Sequence, residues 1–220
     1  MSPVAVFHSP FPTKFGIPRQ AGVVSDIPGT IIFEKPFRTP DAIRGLEGFD
    51  YIWIIWQAIS ASSSPTVRPP RLGGNTRVGV FASRSPLRPN PIGLSSVRID
   101  HIDYDAPEGP VIHVTGADIM DGTPILDIKP YIPYTDSHPD VRAGFTDETE
   151  WKALKVVGTD DPILRKILEQ DPRPHYHNDP ERVYGMEYDG RDIHFMVKDG
   201  VVMVKGEGLR VKGEGLRVSG

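Results

Sequence analysis

The chain has 220 residues, of which 38% are hydrophobic and 25% charged, and it carries a formal net charge of −4. This composition is typical of a globular protein with one main domain and a small second unit. Because cysteine is absent, disulfides, thiolate zinc sites, cysteine nucleophiles and the zinc deaminase signature are all excluded. The sequence has no apolar run of membrane-spanning length and no signal-peptide pattern, so we expect a cytoplasmic protein without a membrane partner.

Short β-rich runs, each bounded by Gly, Pro or Asp, dominate the first part of the chain. They predict strands at residues 4–8, 30–34, 51–57, 77–82, 94–102, 111–116 and 124–128. Helical periodicity is limited there to a short candidate at residues 41–46, so the crossover helices of a parallel doubly wound sheet are missing. We therefore predict a mainly β fold, with a barrel or sandwich and without a Rossmann domain.

The pattern changes after residue 137, where helical signals appear. A helix is predicted at residues 147–156, because Asp147 and Glu150 have the spacing of a capping box. A second helix is predicted after Asp161, with Pro162 at its first position. Residues 183–204 read as a β-meander, since Asp-Gly pairs separate runs of β-forming residues. This part of the chain is predicted to be a small α+β appendage.

The end of the chain contains a perfect duplication, in which VKGEGLR at residues 204–210 recurs at residues 211–217. A short repeat rich in glycine and charge is typical of a flexible end. We therefore predict three parts: a domain at residues 1–140, an α+β domain at 141–204 and a flexible tail at 205–220.

Charge is distributed unevenly along this acidic chain. Between Tyr51 and Ile99 there is no Asp, Glu or Lys, yet the segment contains six arginines: Arg68, Arg71, Arg77, Arg84, Arg88 and Arg98. Six of the 25 basic residues lie here, so the rest of the chain has 19 basic side chains against 29 acidic ones. This segregation predicts an anion-binding segment, as expected of a protein that binds RNA phosphates.

Two arginine-proline loops lie within this segment, TVRPPRLGG at residues 66–74 and RVGVFASRSPLRPNPIG at residues 77–93. Prolines fix backbone angles, so they hold Arg84, Arg88 and Asn90 at a low entropic cost, as a preformed site requires. A single such loop is more often a rigid turn with solvated arginines. Two neighbouring loops favour a functional site.

The remaining polar residues give weaker signals. Asp118, Asp121 and Asp127 do not have the spacing of a calcium loop, and His175 and His177 lack further ligands, so no metal site is predicted. Trp53 and Trp56 are expected in the core, although an aromatic side chain near a site can stack on a base. The sequence also lacks the P-loop, dinucleotide-binding and nucleophile-elbow motifs.

Seven strings, taken in chain order, resemble the TsaA-like family of tRNA methyltransferases, which is also called TrmO or YaeB. The strings are HSPF (residues 8–11), IPRQAG (17–22), RGLEGF (44–49), RPPRLGGN (68–75), GVFASRSPLRPNPIG (79–93), DIMDGTPILDIKPYIPYTD (118–136) and DPRPHY (171–176). The resemblance extends to about residue 204, and the duplicated tail departs from it.

The resemblance implies an S-adenosylmethionine-dependent enzyme with a β-barrel, acting on tRNA as a homodimer. Its expected reaction is methylation of N6 of the threonylcarbamoyl-modified adenosine next to the anticodon of threonine tRNA. By motif match, the implied cofactor-binding residues are Gln20, Ala21, Gly22, Ser60, Ala61, Arg84, Leu94, Thr115, Gly116, Ala117 and Asp118.

Methyl transfer from a sulfonium needs proximity, alignment and an acceptor for the N6 proton. Asp121 and Tyr131 are the candidate catalytic residues. The candidate RNA-binding residues are Arg68, Arg71, Arg88, Asp171, Arg173 and Tyr176. Two alternatives stay open: a non-catalytic protein that binds RNA or senses S-adenosylmethionine, and a methyltransferase for a small molecule on the same fold.

Overall fold

A computed structural model describes residues 1–59, 61–72, 76–149, 152–174 and 179–209. Its strands and α-helices, in chain order, are β1 (Ala5–His8), β2 (Pro28–Phe33), β3 (Tyr51–Gln57), β4 (Thr66–Val67), β5 (Val78–Gly79), β6 (Ile92–Asp103), β7 (Val111–Thr115), β8 (Thr123–Pro130), α1 (Pro133–Asp136), β9 (Lys155–Val157), α2 (Pro162–Glu169), β10 (Tyr184–Tyr188), β11 (Arg191–Lys198) and β12 (Val201–Leu209).

The main sheet is a closed antiparallel barrel with the strand order β1-β2-β7-β6-β3-β8. Side chains alternate across each strand, as expected for a sheet with one buried face. In β3, for example, Ile52 and Ile54 are fully buried in the barrel core, whereas Tyr51 is exposed on the outer wall. The predicted mainly β fold is therefore confirmed, and it is a barrel.

The second unit combines α2 with a sheet of order β10-β11-β12-β9. The predicted helix start is confirmed, because the Asp161 carboxylate accepts hydrogen bonds from the backbone N–H groups of Ile163 and Leu164. The meander is confirmed as well. Its two turns contain Asp189 and Asp199 with φ of 50°, each followed by a glycine with positive φ, the turn geometry that suits a tight hairpin.

The segment between β1 and β2, residues 9–27, connects the two units. Its side chains Phe11, Val24 and Ile27 are buried in the core of the second unit rather than in the barrel core. The Phe11 ring lies 5.3 Å from the ring of Tyr188, and Asp189 N–H donates to Pro10 O at 2.8 Å. We call residues 9–27 the connecting segment, since it is continuous with the barrel and packs inside the second unit.

The helix predicted at residues 41–46 is wrong. Two short 3-10 turns, Pro40–Ile43 and Leu46–Gly48, occupy this region. Gly45 between them has φ of 87°, a left-handed conformation that ends helical geometry. Only Ile43 of the first turn is buried, so the segment lacks the apolar face that stabilises a longer helix.

Two further predicted elements differ from the structure. No α-helix occupies the described residues of 147–156; a 3-10 turn lies at Gly144–Thr146, and Lys155–Val157 forms β9. Pairing with β12 and burial of Val156 outweigh the local capping signal there. The strand predicted at 77–82 is limited to Val78–Gly79, because Val80–Ala82 turns into a 3-10 helix.

Strand β12 continues to Leu209, past the predicted tail boundary at residue 204, because its last residues pair with β11. Residues 210–220 lie outside the described part of the chain. Among the described residues, none of the helices has the length and apolar character needed to cross a membrane.

Candidate functional site

A cavity of about 300 Å³ opens at one mouth of the barrel. The end of β3 and the starts of β6 and β8 meet there, because these strands are antiparallel neighbours. The connecting segment and the loop before β6 complete its wall. Its lining residues are Lys14, Ile17, Pro18, Arg19, Gln20, Trp56, Gln57, Ala58, Ile59, Arg84, Ser85, Pro86, Leu87, Gly93, Leu94, Asp118, Met120 and Thr123. This volume lies at the lower end of the range of about 300–1,000 Å³ for small-molecule and cofactor sites.

A chain of hydrogen bonds fixes one wall of this cavity. The indole N–H of Trp56 donates to Ser95 Oγ at 3.0 Å, and the Ser95 hydroxyl donates to Asp118 Oδ1 at 2.5 Å. Ser95 is fully buried on the inner face of β6. The Ser95 hydroxyl thus accepts one hydrogen bond and donates another. The indole and the carboxylate are therefore held in fixed positions on the cavity wall.

The Asp118 carboxyl is the acidic group of the cavity lining. Burial raises its pKa above the ordinary aspartate value, because the charged form loses hydration. Hydrogen bonds from Ser95 and from the backbone N–H of Ala21, together with the nearby charge of Arg84, act in the opposite direction without cancelling the rise. Asp118 is thus a carboxyl group on the cavity wall whose pKa is raised by its environment.

Two of the predicted cofactor-binding segments lie against each other in the structure. Gly22 N–H donates to Gly116 O, and Gly116 N–H donates to Ile27 O, both at 2.8 Å. Gly116 has φ of 82°, and a side chain there would meet the backbone of Ser25. Of the residues predicted at 20–22 and 115–118, Gln20 and Asp118 line the cavity. The backbone of Ala21 hydrogen-bonds to Asp118, and the remaining residues of these two segments, Gly22, Thr115, Gly116 and Ala117, are not part of the lining.

The remaining predicted cofactor residues divide into two groups. Arg84 and Leu94 both line the cavity, and the Arg84 guanidinium donates to the Leu94 carbonyl oxygen at 3.4 Å. Ala61 is exposed and is not part of the lining, and Ser60 lies outside the described residues. The structure therefore brings Gln20, Arg84, Leu94 and Asp118 together around one cavity.

The two candidate catalytic residues lie in different places. Asp121 is beside the cavity, between the lining residues Met120 and Thr123, and its carboxylate accepts from Ser9 N–H at 3.1 Å and pairs with His8 Nδ1 at 3.0 Å. Tyr131 packs against Trp53 at the other end of β3, with ring centroids 5.6 Å apart. Its backbone N–H donates to Tyr51 O at 2.9 Å, and at about 3.3 Å per residue Tyr51 is roughly 17 Å along β3 from Trp56.

The candidate RNA-binding arginines lie mostly at the surface. Arg68 and Arg71 are exposed, and Arg71 donates to Thr146 O at 3.5 Å. Arg88 is partly buried in the loop before β6. The Arg173 guanidinium binds both carboxylate oxygens of Asp171, at 2.8 and 2.9 Å. Tyr176 and the histidines at 175 and 177 lie outside the described residues.

Some cavity residues were not among the predicted site residues. Arg19 lines the cavity and donates to Asp171 O at 3.1 Å, so it joins the DPRPHY string to the site. Ser95 had no sequence signal, because a serine in a strand is ordinarily an exposed residue. Trp56 was expected in the core and was not predicted as a site residue. It lies on the opposite face of β3 from Trp53, as strand alternation requires. In the described residues, no group of three or more His, Asp or Glu is arranged to hold a metal ion.

A larger open groove of about 830 Å³ lies in the second unit, and Arg191 in its lining pairs with two of its carboxylates. The Arg191 guanidinium donates to Asp161 at 2.5 Å and to Glu207 at 2.9 Å. Asp161 is also occupied as the cap of α2. Because these charges are already paired, this groove offers a weaker case for a ligand site than the barrel cavity does.

Comparison with known families and proteins agrees with this geometry. The family model for the tRNA-methyltransferase O N-terminal domain matches residues 6–137, and that for the TrmO C-terminal domain matches residues 145–206. The chain belongs to the TrmO family. The barrel with its cavity corresponds to the first of these matches, and the second unit to the other.

Relatives and solved structures of the TrmO family cover most of the chain. The tRNA (adenine(37)-N6)-methyltransferase of Escherichia coli K12 is 39% identical over 197 residues, 81% of this chain and 83% of the relative. A Pseudomonas aeruginosa relative, 36% identical over 215 residues (89% and 91% coverage), carries a name that refers to S-adenosylmethionine-dependent methyl transfer. A crystal structure of TrmO from P. aeruginosa superposes with a TM-score of 0.77 at 30% identity, covering 95% of this chain and 96% of that one.

We predict that Gly93→Ala disturbs the cavity wall. A Cβ atom at Gly93 would lie 2.0 Å from the Trp56 ring, so the indole must move and its bond to Ser95 is strained or lost. Overpacking of this kind typically costs about 1–3 kcal/mol of unfolding free energy, which urea denaturation measures. Gly79→Ala is the matched control, since a Cβ atom added there would have no atom of the described residues within 4 Å. Equal stability of the two variants would contradict the prediction.

Proposed function

We propose that this protein transfers a methyl group from S-adenosylmethionine to N6 of the adenosine at position 37 of tRNA, next to the anticodon. The observation that carries this proposal is a single barrel cavity that contains Gln20, Arg84, Leu94 and Asp118 in a chain of the TrmO family. Relatives that cover most of this chain are named for this reaction. We propose the threonylcarbamoyl-modified adenosine of threonine tRNA as the natural substrate.

The residues of the cavity fit S-adenosylmethionine by their chemistry. The cofactor combines an adenine ring, a ribose and an amino acid group with a sulfonium, and it therefore needs both apolar and polar partners. Trp56, Leu87 and Leu94 provide apolar surface, the Arg84 guanidinium suits a carboxylate, and the Asp118 carboxylate suits hydroxyl or ammonium donors. When bound, the cofactor supplies an electrophilic methyl group.

The protein has two tasks in this reaction, which are to align the nucleophile and to receive one proton. N6 of the adenosine would use its lone pair to form the new N–C bond while the bond between the methyl group and the sulfonium breaks, and the electron pair of that bond would stay on sulfur to leave a neutral thioether. The N6 proton must then leave. We propose the His8–Asp121 pair as the acceptor, because it lies beside the cavity and is half exposed, so it can exchange the proton with water. Tyr131 is the less suitable candidate because of its position beyond Trp53.

We also propose a homodimer and a cytoplasmic location. The outer barrel wall near the cavity exposes Ile92 and Leu94, which are 37% and 49% exposed, and such apolar side chains suit a subunit interface. The location follows from the proposed tRNA substrate.

The reaction is tested with purified protein, labelled S-adenosylmethionine and threonine tRNA in two forms. One form carries the threonylcarbamoyl group and the other is an unmodified transcript. We expect label in the modified tRNA only, recovered as a methylated adenosine by nucleoside mass spectrometry. Absence of label from both tRNAs would sink the proposed reaction, whereas equal labelling of both would overturn only the proposed form of the adenosine.

Cofactor affinity should depend on pH through Asp118. Its raised pKa means that, as pH falls, the carboxyl takes up a proton at a higher pH than an ordinary aspartate near pH 4. If the ionised carboxylate holds the cofactor, affinity for S-adenosylmethionine is highest where Asp118 is ionised and declines as pH falls, and the decline begins at a higher pH than it would for an ordinary aspartate. Calorimetric titration between pH 7.5 and 4.5 measures this decline. The control Asp118→Asn should bind weakly with little pH dependence; a slope equal to that of the wild type would refute the assignment.

Arg84 and Arg68 should separate cofactor binding from tRNA binding. Arg84→Ala removes a guanidinium from the cavity lining, so we expect weaker binding of S-adenosylmethionine. Arg68→Ala removes an exposed charge outside the lining, so we expect weaker tRNA binding with a salt dependence reduced by about one unit of slope. Calorimetry with the cofactor and filter binding of tRNA at several salt concentrations measure both effects. Equal loss of cofactor affinity in both variants would contradict this division.

A further inference from the structure

Phe81 is an aromatic side chain that the fold holds out in solvent. Its relative exposure is 79%, although it lies in a 3-10 turn, Val80–Ala82, whose first residue is buried. Val80 N–H donates to Pro65 O at 2.9 Å, and Ser83 N–H donates back to Val80 O at 3.3 Å. These bonds and the burial of Val80 fix the turn, so the exposure of the neighbouring ring is imposed by ordered structure.

Arg88 lies over one face of the Phe81 ring. Its guanidinium carbon is 5.6 Å from the ring centroid, a distance typical of a cation–π contact. The same guanidinium donates to the backbone oxygens of Ser83 and Ser85, both at 3.4 Å, so two carbonyls keep it in place. The high exposure of Phe81 leaves the opposite face of the ring open. One face of the Phe81 ring is therefore exposed, while Arg88 contacts the other face and supports it.

This surface adjoins the cavity and lies in the arginine-rich segment. The lining residues Ser85, Pro86 and Leu87 lie three to five residues after the turn, and the Arg88 guanidinium donates to the Ser85 carbonyl oxygen. Leu87 is 42% exposed. Because the chain has no acidic residue between Tyr51 and Ile99, the local sequence charge around the ring is positive. Positive charge combined with an open aromatic face suits a single-stranded nucleic acid, whose bases stack while its phosphates pair with arginines.

We propose that Phe81 and Arg88 form a stacking platform for a base of the substrate RNA that neighbours the adenosine in the cavity. The proposal rests on the proposed function and deepens it by assigning a second contact to the anticodon loop. Stacking accepts any base, since every base has a flat face, so the platform supplies affinity and positioning rather than sequence choice. A second copy of this chain is the other occupant that an exposed ring can attract, and the experiment separates the two.

The test compares three variants of the full-length protein. Phe81→Ala removes the platform, Phe81→Trp keeps a flat ring, and Tyr134→Ala removes an aromatic side chain that is 90% exposed on α1. Binding of an anticodon stem-loop RNA is measured by fluorescence anisotropy, S-adenosylmethionine binding by calorimetry, and mass in solution by light scattering. Thermal melting confirms that each variant is folded.

We expect Phe81→Ala to weaken RNA binding about tenfold, as loss of one stacked base predicts, with unchanged cofactor affinity and mass. Phe81→Trp should bind RNA as the wild type does, and its added indole should lose fluorescence when RNA is bound. Tyr134→Ala should bind RNA normally. Unchanged RNA affinity in Phe81→Ala would overturn the proposal, and so would a fall in mass, which assigns the ring to a contact between copies. A wild-type protein that binds a threonylcarbamoyl-modified stem-loop through Phe81, and does not methylate it in the presence of S-adenosylmethionine, would refute the proposed reaction and leave the platform standing.

Discussion

The candidate site depends on one partly buried carboxylate and the groups that hold it. Asp118 receives the hydroxyl of Ser95 from β6 and the backbone N–H of Ala21 from the connecting segment, while Arg84 lies close enough to interact with its charge. Taking an ionisable group out of water is costly unless its oxygens are hydrogen-bonded. The carboxylate is therefore favourable only where β6, the connecting segment and the loop that contains Arg84 lie next to one another. These three parts of the chain form the cavity around Asp118.

The arginine-rich segment contains groups in different physical situations. Arg84 lines the cavity and donates to the Leu94 carbonyl oxygen, and Arg88 lies against an aromatic ring, so both guanidinium groups already have contacts within the protein. Arg68 remains exposed in the other loop. Side chains that already have contacts lose little entropy on binding and suit short-range contacts with a ligand. An exposed arginine suits long-range electrostatic attraction of RNA phosphates. The same residue type thus serves short-range and long-range recognition.

Sequence patterns predicted a barrel or sandwich, because short β-rich runs and the Gly, Pro and Asp residues that bound them are local features, and the family resemblance implied a barrel. They predicted α2 for a similar reason, since Asp161 and the apolar face of the helix lie within a few residues of each other. The helix at residues 147–156 failed because β9 is defined by its pairing with β12, far along the chain. Ser95 was missed for the same physical reason: its role comes from Trp56 and Asp118, which only the closed barrel brings next to it.

The connecting segment packs in the core of the second unit and also lines the barrel cavity. Phe11 and Ile27 are buried with the second unit, while Gln20, between them in the chain, faces the barrel cavity. The second unit therefore buries apolar side chains of a segment that also lines the cavity of the barrel. It cannot be replaced without affecting that cavity, even though the chain matches two separate family domains. During divergence of this family, changes on the inner surface of the second unit would be felt as changes in ligand affinity.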